Sequence, residues 1–477
     1  MADAPLLGLK LDPGTSTPLF AQIYEALRRR IISGQLGTGY RLPASRNLAQ
    51  ELGVSRATVV AAYDQLMAEG FAQGRRGAGV YVSDIGEVEI DQASHTPVAA
   101  LPDVTSPPSP PIRPFQPGRP DMRLFPYRQW ARCFSRVARS DPQALVVGSD
   151  PFGDLHLRTA IVRYLADWRG LNVSPQQILI TAGSVDALEI CLRTLASPGD
   201  FIALEDPGYA PLRSLIGSLG MRPRWLELDA HGACLPDIGA GVKTPVLAML
   251  TPSSQFPLGG AMPTKRRVEF LSWAQRTDSW IVEDDYDSEF RYAGRPIPAL
   301  ASFEPRFDQG GRTLYLGSFS KVFTDSLRLG FLVVPMHILE RISMSVRAHG
   351  TKASIAPQRA LALFMENGEF YRHIRRMRRM YGERRSVLVG LLRDQLGHIV
   401  SFEDHHAGMQ IVVRLAPQFD DVQIAKLAAQ RGVTCAALSS YYACEPKVQG
   451  LLLGFCGFSP QELKSAVNVL REVLESV

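Results

Sequence analysis

A lysine, two serines and an arginine lie close together between residues 315 and 330. Lys321 follows Ser318 and Ser320 at the end of an apolar run, and Arg328 comes seven positions later. A lysine held away from bulk water can form a Schiff base with an aldehyde, while hydroxyls, amides and a fixed cation can hold a phosphate. Lys321 is therefore a candidate for a covalent bond to an aldehyde, with the other three side chains at a phosphate. The Ser-x-Ser-Lys string alone is equally typical of a surface turn.

A second chemical signal is the apolar run from Trp280 that ends in four carboxylates. A carboxylate at the end of a buried strand can keep a pyridine nitrogen protonated, which turns the ring into an electron sink. Asp284 is the candidate for this contact, and Tyr286 could donate to the ring's phenolic oxygen. An acidic loop or a metal site is the alternative, but no histidine is nearby and Lys321 follows downstream.

Two further segments could contact the same group. Residues 178–190 predict a strand, a glycine turn and a helix, so the amides of Gly183, Ser184 and Val185 could bind a phosphate at the helix N-terminus. A single turn of this kind is common in α/β proteins. The segment from Glu205 to Tyr209 predicts a strand that ends in a turn, where the Tyr209 ring could stack on a cofactor.

The order of these segments, with Phe115–Asp121 before them and Thr251–Gly260 between, resembles a fold-type-I aminotransferase over residues 114–477. The resemblance implies an α/β body with major and minor lobes, and pyridoxal 5'-phosphate (PLP) as the cofactor. It implies Lys321 as the internal aldimine, Asp284 at the pyridine nitrogen and Tyr286 at the phenolic oxygen. It further places Tyr209 on the ring and assigns the phosphate to Gly183, Ser184, Val185, Ser318, Ser320 and Arg328.

The first 83 residues predict a different module. Apolar residues recur at helical spacing from Pro18 to Ser33, and residues 41–66 predict two short helices joined by a tight turn. Ser45 and Ser55 are the expected N-caps, and Gly53 is expected to end the first of these helices in a left-handed conformation. Two short helices joined in this way form a helix-turn-helix, whose second helix presents Arg56 and Thr58 to DNA.

Residues 71–82 then predict two strands around a basic tip. Helix-turn-helix and basic wing together resemble the winged-helix domain of GntR regulators over Pro18–Val82. The alternative is a small packing unit with solvated surface arginines. The resemblance implies that duplex DNA is contacted by Arg41, Arg46, Ser55, Arg56, Thr58, Arg75, Arg76 and Gly77.

Joined to the aminotransferase-like body, this head identifies the chain as similar to MocR-type regulators. The likeness implies a cytoplasmic homodimer that binds operator DNA and senses an amine or amino-acid-like effector by aldimine exchange at Lys321. Weak or absent turnover is expected. Two alternatives stay open: an active aminotransferase with an auxiliary head, and a sensor of PLP itself.

Three positions depart from the aminotransferase pattern. Phe256 stands where an asparagine usually contacts the cofactor, and Asp154 follows Gly153 where a tyrosine is common, which is expected to add negative charge near the site. The segment 450–456 lacks the arginine that clamps a substrate carboxylate. Arg414 and Arg213 are the candidate substitutes, although both are typical surface charges.

The strongest basic run is Tyr371–Arg385. Within it and just after it, Ile374, Met377, Tyr381 and Leu388 repeat at helical spacing, which predicts an amphipathic helix with a solvated basic face. A second DNA contact is the alternative interpretation.

Composition is compatible with this division. The 477 residues carry a net charge of +5, of which +3 lies in residues 1–83, where 9 Lys and Arg face 6 Asp and Glu. Prolines crowd residues 84–113, which predicts a semi-rigid linker between a head of residues 1–83 and the body. Six cysteines without CxxC spacing predict neither disulfides nor zinc and no metal is expected, while no apolar run suggests a membrane span.

Overall fold

A computed structural model describes residues 8–15, 17–75, 77–86, 112–147, 150–237, 239, 241, 243–304, 310–350 and 352–477. The chain divides into two compact units, residues 1–110 and 111–477. Most of the predicted linker, residues 87–111, lies outside the described residues. Among the described residues, no helix combines the length and apolar character needed to cross a membrane.

The first unit is a small winged helix with its own apolar core. Its elements are α1 (Leu19–Ile32), α2 (Ser45–Leu52), α3 (Arg56–Ala68), β1 (Ala72–Arg75) and β2 (Gly79–Val82), and the two strands pair antiparallel. Val59, Ala62 and Leu66 on α3 are buried, as their spacing predicts. They pack in one cluster with Ile23 and Leu27 of α1, so the helix-turn-helix is held by side chains on its inner faces.

The predicted caps of this unit are partly correct. The Ser55 hydroxyl accepts from the Thr58 amide at 3.1 Å, and Gly53 ends α2 with a φ of 64°. The prediction for Ser45 is wrong, because α2 begins at Ser45 itself and Ala44 is the capping residue without a side-chain bond. The Ser45 hydroxyl instead accepts from Nε of Arg56 at 3.3 Å, which ties α2 to the first turn of α3.

The described residues of the second unit form two main sheets and one two-stranded sheet. Its strands are β3 (Ile178–Thr181), β4 (Phe201–Glu205), β5 (Arg222–Leu226), β6 (Leu228–Asp229), β7 (Gly232–Ala233), β8 (Leu247–Leu250), β9 (Trp280–Asp285), β10 (Thr313–Ser318), β11 (Gly330–Val333), β12 (Val400–Phe402), β13 (Gln410–Leu415), β14 (Ala436–Ala437) and β15 (Gly450–Gly454). The larger sheet has the order β3-β11-β10-β9-β8-β4-β5, and the smaller has the order β12-β13-β15-β14.

Helices cover these sheets. They are α4 (Tyr127–Ser140), α5 (Gln143–Val146), α6 (Leu155–Arg169), α7 (Ser184–Leu195), α8 (Ala210–Ser218), α9 (Thr264–Thr277), α10 (Leu339–His349), α11 (Ala356–Glu366), α12 (Glu369–Leu396), α13 (Asp421–Gln430) and α14 (Pro460–Glu475). In the larger sheet, only β11 runs antiparallel to its neighbours. The carboxyl ends of β3, β4, β8, β9 and β10 therefore share one edge, where ligands of open α/β sheets bind.

The basic run of residues 371–385 lies in α12, as the amphipathic pattern predicts. Ile374, Met377, Tyr381 and Leu388 are all buried. Several of its arginines are held inside the body: Arg384 pairs with Asp121 at 2.7 Å, Arg385 pairs with Asp404, and Arg378 donates to the carbonyl of Arg291. These three contacts join α12 to other parts of the body, while Arg375, Arg376 and Arg379 are exposed.

Gly317 gives a test of the packing between β10 and β11. A Cβ atom at this position would lie 2.3 Å from Cζ of the buried Phe331 ring. We expect Gly317→Ala to lower the free energy of unfolding by about 1–3 kcal/mol, because a closely packed ring cannot move without disturbing its neighbours. Urea denaturation of the purified protein measures this change.

The matched control is Gly217→Ala on α8, where an added Cβ has no neighbour within 4 Å. This exposed helical position should tolerate alanine or gain a few tenths of a kcal/mol. Equal stability of the two variants would contradict the assigned contact between Gly317 and Phe331.

Candidate functional site

Lys321 lies in the turn that follows β10, and its side chain is largely enclosed. Its Nζ donates to the carbonyl oxygen of Gly118 at 2.9 Å, and a Cβ atom on Gly118 would lie 3.0 Å from the same nitrogen. Gly118 has a φ of 65°, so both its conformation and the space around it favour glycine. Burial, and secondly the positive charge of Arg119, lower the pKa of Lys321.

Successive side chains of β9 point to opposite faces of the sheet, so Glu283 and Asp285 lie on one face and Asp284 lies on the other. Asp285 pairs with Arg169 at 2.7 Å and accepts from the Tyr315 hydroxyl at 2.5 Å. Glu283 accepts from two main-chain amides, at Leu300 and Ala301. These two acids stabilise the fold, and no metal-type cluster of acids, histidines and cysteines occurs among the described residues.

Asp284 points to the other side of β9. Its Oδ1 atom is inaccessible to solvent and has no hydrogen-bond partner in the described part of the chain. Burial raises the pKa of Asp284 to about 7, and the nearby charges of Asp285 and Glu205 act in the same direction. A buried carboxyl group without a partner is suited to receive a protonated ring nitrogen of a ligand.

The proton on Asp284 makes stability depend on pH. The unfolded carboxyl loses its proton near pH 4, whereas the folded one keeps it until about pH 7. The folded state then binds the extra proton in this window, so the free energy of unfolding should fall as pH rises, by at most about 4 kcal/mol for this group. We expect Asp284→Asn to reduce that decline in urea denaturation of cofactor-free protein at pH 5, 6 and 7.

The control for this prediction is Asp394→Asn, at an exposed position on α12. It should leave the pH dependence as in the unaltered protein. If the free energy of unfolding of Asp284→Asn declined with pH as steeply as that of the unaltered protein, the buried carboxyl would not hold its proton in the folded state.

Aromatic rings surround the region beside Asp284. Phe256 makes edge-to-face contacts with the rings of Tyr209, Tyr286 and Tyr441, at centroid distances of 6.1, 5.7 and 5.4 Å. The Tyr286 hydroxyl lies 3.3 Å from the hydroxyl of Ser254. Phe256, which replaces the usual asparagine, thus packs against all three tyrosine rings instead of contributing a polar contact.

The predicted phosphate ligands converge across β11. Ser318 is paired in register with Gly330, and Gly330 is paired with Thr181, the last residue of β3. A Cβ atom on Gly330 would lie 3.1 Å from Cα of Gly183, so the glycine turn rests directly on this strand. Gly183 precedes α7, whose first residues are Ser184 and Val185. The amide of Ser320 donates to the Ser318 hydroxyl at 3.2 Å.

Arg328 completes this group of residues. It has a positive φ of 47°, is exposed, and has no ion pair or side-chain hydrogen bond among the described residues. Its backbone lies near the serines, since the carbonyl of Leu329 accepts from the Phe319 amide at 3.1 Å, so this exposed arginine could bind a phosphate together with them and the helix N-terminus. Together with Lys321 and Asp284, these residues fit a ligand that carries an aldehyde, a ring nitrogen and a phosphate.

Three expectations about charged residues near the site are corrected. Asp154 adds no unpaired charge, because it caps α6 through the Leu157 amide and pairs with Arg359 at 2.8 Å. Arg213 donates to the main-chain carbonyls of Tyr441 and Tyr442 and therefore has a structural partner.

Arg414, the other candidate for binding a carboxylate, is paired with Glu403 at 2.5 Å. The segment that lacks the usual arginine is β15, whose Leu451, Leu452 and Leu453 are fully buried. This strand therefore offers no polar side chain to a ligand.

Three residues of the site are absent from the sequence predictions. Glu205 is buried, accepts from the Thr251 hydroxyl at 2.5 Å, and has its pKa raised by burial to about 7. Gly118 and Arg119 contact or influence Lys321, and Arg119 forms a 3.3 Å ion pair with the exposed Asp325. All three lie in segments that are recognisable from the sequence, but Gly118 is separated from Lys321 by 203 residues and Glu205 by more than 100, which concealed their roles.

The first unit presents a separate surface of basic side chains. Arg41, Arg46, Arg56 and Arg75 are all exposed and have no ion pair in the described part of the chain. Ser55 and Thr58 lie at the N-terminus of α3, and Gly77 has a φ of 75° in the turn of the wing. Arg76 lies outside the described residues. Arg75 stacks over the Tyr81 ring at 4.7 Å, and the Arg41 side chain lies against Gly79.

Comparison with known proteins agrees with this division. Residues 19–82 match bacterial regulatory proteins of the gntR family, and residues 121–470 match aminotransferase class I and II. A kynurenine aminotransferase of Pyrococcus horikoshii, solved in complex with PMP, superposes with a TM-score of 0.69 at 24% identity, covering 75% of this chain and 89% of that chain. The chain thus combines a GntR winged helix with a fold-type-I aminotransferase body.

Two relatives share both parts. The probable rhizopine catabolism regulatory protein MocR of Rhizobium meliloti is 36% identical, covering 97% of this chain and 95% of that protein. The pyridoxine biosynthesis transcriptional regulator PdxR of Corynebacterium glutamicum is 32% identical, covering 100% and 99%. The chain belongs to the MocR-type subfamily of GntR transcriptional regulators and is a DNA-binding protein of that class.

Proposed function

We propose that this chain is a PLP-dependent regulator whose body senses an amine or amino-acid-like effector through exchange at Lys321. The observation that carries the proposal is the pair formed by the enclosed Lys321 and the carboxyl of Asp284, whose buried Oδ1 has no hydrogen-bond partner among the described residues, at the ends of neighbouring strands. Its attachment to a winged helix favours regulation over metabolism. A regulator also needs access to the chromosome, which is consistent with a cytoplasmic protein.

Each side chain has a role in this proposal. Asp284 would hold the ring nitrogen, Tyr286 the phenolic oxygen, and Tyr209 would stack on the ring. The phosphate would be held by Gly183, Ser184, Val185, Ser318, Ser320 and Arg328. When bound, PLP supplies an aldehyde carbon that forms a carbon–nitrogen double bond with a primary amine.

The surroundings of Lys321 suit reversible bonding. Its lowered pKa increases the neutral fraction of Nζ, which is the nucleophilic form. The Gly118 carbonyl, at 2.9 Å, can hold the free amine when an effector amine has taken its place. A changed position of Lys321 relative to Gly118 and Arg119 is the local event that would bias the conformation of the body.

The arginines near the site indicate where an effector carboxylate could bind. Arg213 and Arg414 have other partners, and β15 is apolar, so the usual clamp for an α-carboxylate is missing. Arg119 lies near Lys321 and is half-exposed, and among the described residues its ion-pair partner is the exposed Asp325. We therefore place a carboxylate, where the effector has one, at Arg119.

The decisive experiment is a screen of amines and amino acids by visible absorbance of the PLP-loaded protein. A sensor should show one saturable spectral change per added amine, without further turnover. Continuous cycling with an oxo-acid acceptor would instead support the alternative of an active aminotransferase. In Arg119→Gln, amines with a carboxylate should bind at least several-fold more weakly, while simple amines should keep their affinity.

A second candidate function is sensing of PLP itself, which the likeness to PdxR favours. In that case, apo and PLP-loaded protein would bind operator DNA with different affinity and no amine would alter either. Comparing DNA binding of both forms with and without an active amine separates the two functions.

The regulator is proposed to act as a homodimer on double-stranded operator DNA. Val146 and Val147 are 82% and 57% exposed and Leu155 is 56% exposed, so apolar side chains are available to a second copy. Paired winged helices then read repeated half-sites. Sedimentation equilibrium of Val146→Asp should show weaker association than the unaltered protein.

A further inference from the structure

The solvent face of α4 carries a row of arginines. Its members are Arg128, Arg132, Arg136 and Arg139, which we call the α4 arginine row. All four are exposed, and none has an ion pair or side-chain hydrogen bond among the described residues. Such a concentration is unusual for this body, because the 394 residues after position 83 carry a net charge of only +2, from 43 basic and 41 acidic residues.

Neighbouring acids do not neutralise the row. The helix itself contains no aspartate or glutamate. The flanking acids are engaged elsewhere, since Asp121 pairs with Arg384 at 2.7 Å and Asp141 pairs with Arg359 at 2.7 Å. The positive charge of the row is therefore available to an external anion.

The row is also held rigidly. Its spacing of four, four and three residues keeps all four side chains on one side of the helix, over a length of about 16 Å. The opposite side of α4 packs against the body through the buried Cys133 and Val137 and through Trp130, whose ring contacts Phe323 and Phe364. Because the helix is fixed in this way, the four arginines are held at constant intervals, which suits binding to a polyanion with regularly spaced charges.

Duplex DNA has the matching chemistry. It carries one negative charge per about 1.7 Å of axis, so a stretch of about 16 Å offers more phosphates than four arginines can engage. Arginine binds phosphate oxygens with a planar fork of donors and needs no particular base. The row contains no lysine and no interspersed acid, which fits continuous backbone contact.

We propose that the α4 arginine row binds the phosphate backbone of the DNA engaged by the winged helix. The proposal rests on the proposed function, since it assumes a duplex held by the same protein. It assigns the body a direct role in DNA affinity, independent of base sequence. Three arginines of the α12 basic run, Arg375, Arg376 and Arg379, are also exposed without an ion pair among the described residues, whereas Arg378, Arg384 and Arg385 are engaged within the body. The proposal places the second contact at α4 instead, because all four arginines of its row lack such partners in the described part of the chain.

The test measures non-specific affinity of the full chain for a mixed-sequence duplex of about 40 base pairs, by fluorescence anisotropy across a KCl series. Each phosphate contact contributes about 0.9 to the slope of log affinity against log salt. Changing all four arginines to glutamine should therefore make the slope shallower by about 3 to 4. Affinity at low salt should fall at least tenfold.

The matched control changes four exposed basic residues on other helices to glutamine, namely Lys265, Arg276, Arg341 and Arg347. It alters net charge equally and should keep a slope within about 1 of the unaltered protein. Sedimentation velocity and the PLP spectrum of both variants verify folding and assembly.

The outcomes are distinct. An unchanged slope in the α4 variant, with the unaltered protein binding DNA, overturns this inference and leaves the proposed function intact. Loss of self-association in the α4 variant also overturns it, since the row would then be a subunit contact. Failure of the unaltered protein to bind any duplex would contradict the proposed function itself.

Discussion

Replacing Lys321 by alanine should abolish the visible absorption that the protein acquires on addition of PLP. Lys321 is the amine that the structure places in an enclosed position beside Gly118, and alanine cannot form a carbon–nitrogen bond. PLP itself should still bind through Asp284 and the phosphate ligands, although more weakly. Absorption spectroscopy after gel filtration, with phosphate analysis of the retained cofactor, measures both effects.

Arg328→Gln provides the comparison for this variant. It should keep the lysine-dependent spectrum at saturating PLP but require a higher PLP concentration, because it would remove the proposed phosphate contact, worth about 1–3 kcal/mol. An undiminished wild-type spectrum in Lys321→Ala would mean that another amine bonds the aldehyde, and the assignment of Lys321 would be wrong.

Replacing Arg56 by alanine should weaken DNA binding by about tenfold to a hundredfold, corresponding to a contact of about 1–3 kcal/mol. Arg56 is the first residue of α3, and its exposed side chain is oriented by the Ser45 hydroxyl at 3.3 Å. The measurement is a gel-shift titration with a duplex selected for binding to the unaltered protein.

Arg29→Ala in α1 is the control, because Arg29 is exposed but paired with Glu25 at 3.2 Å on a different helix. It should bind DNA nearly as the unaltered protein does, and both variants should keep the PLP spectrum. Equal DNA affinity of Arg56→Ala and the unaltered protein would contradict the placement of α3 as the recognition helix.

Much of the site could be predicted because its main residues follow strands. The strand before Asp284 and the strand before Lys321 are both continuous apolar runs, and parallel neighbours in a sheet end at one edge. Prediction of the winged helix succeeded for a similar reason. Its Ser55 cap and its Gly53 turn depend on contacts within four residues.

Predictions failed where a side chain's partner is distant in sequence. Asp154 looks like a free charge until Arg359 is placed beside it, and Arg213 looks like a ligand-binding cation until the carbonyls near residue 441 occupy it. The Ser45 cap failed for a local reason, since the helix begins one residue earlier than the capping pattern suggests.

The sequence by itself determined the two-part organisation, the α/β body and the identity of Lys321 and Asp284 as candidates. These features depend on apolar periodicity and on short motifs, which are local properties of the chain. Only the tertiary structure decided which charges are available to a ligand. Chain folding pairs Asp285 with Arg169 but leaves Oδ1 of Asp284 without a hydrogen-bond partner among the described residues. It also leaves the four arginines of the α4 row exposed, while Arg378, Arg384 and Arg385 of α12 are engaged within the body. A charge becomes functional or structural according to the neighbours that folding brings within a few ångströms, and in the pairs Asp285–Arg169 and Asp121–Arg384 these neighbours lie more than 100 residues apart in the chain.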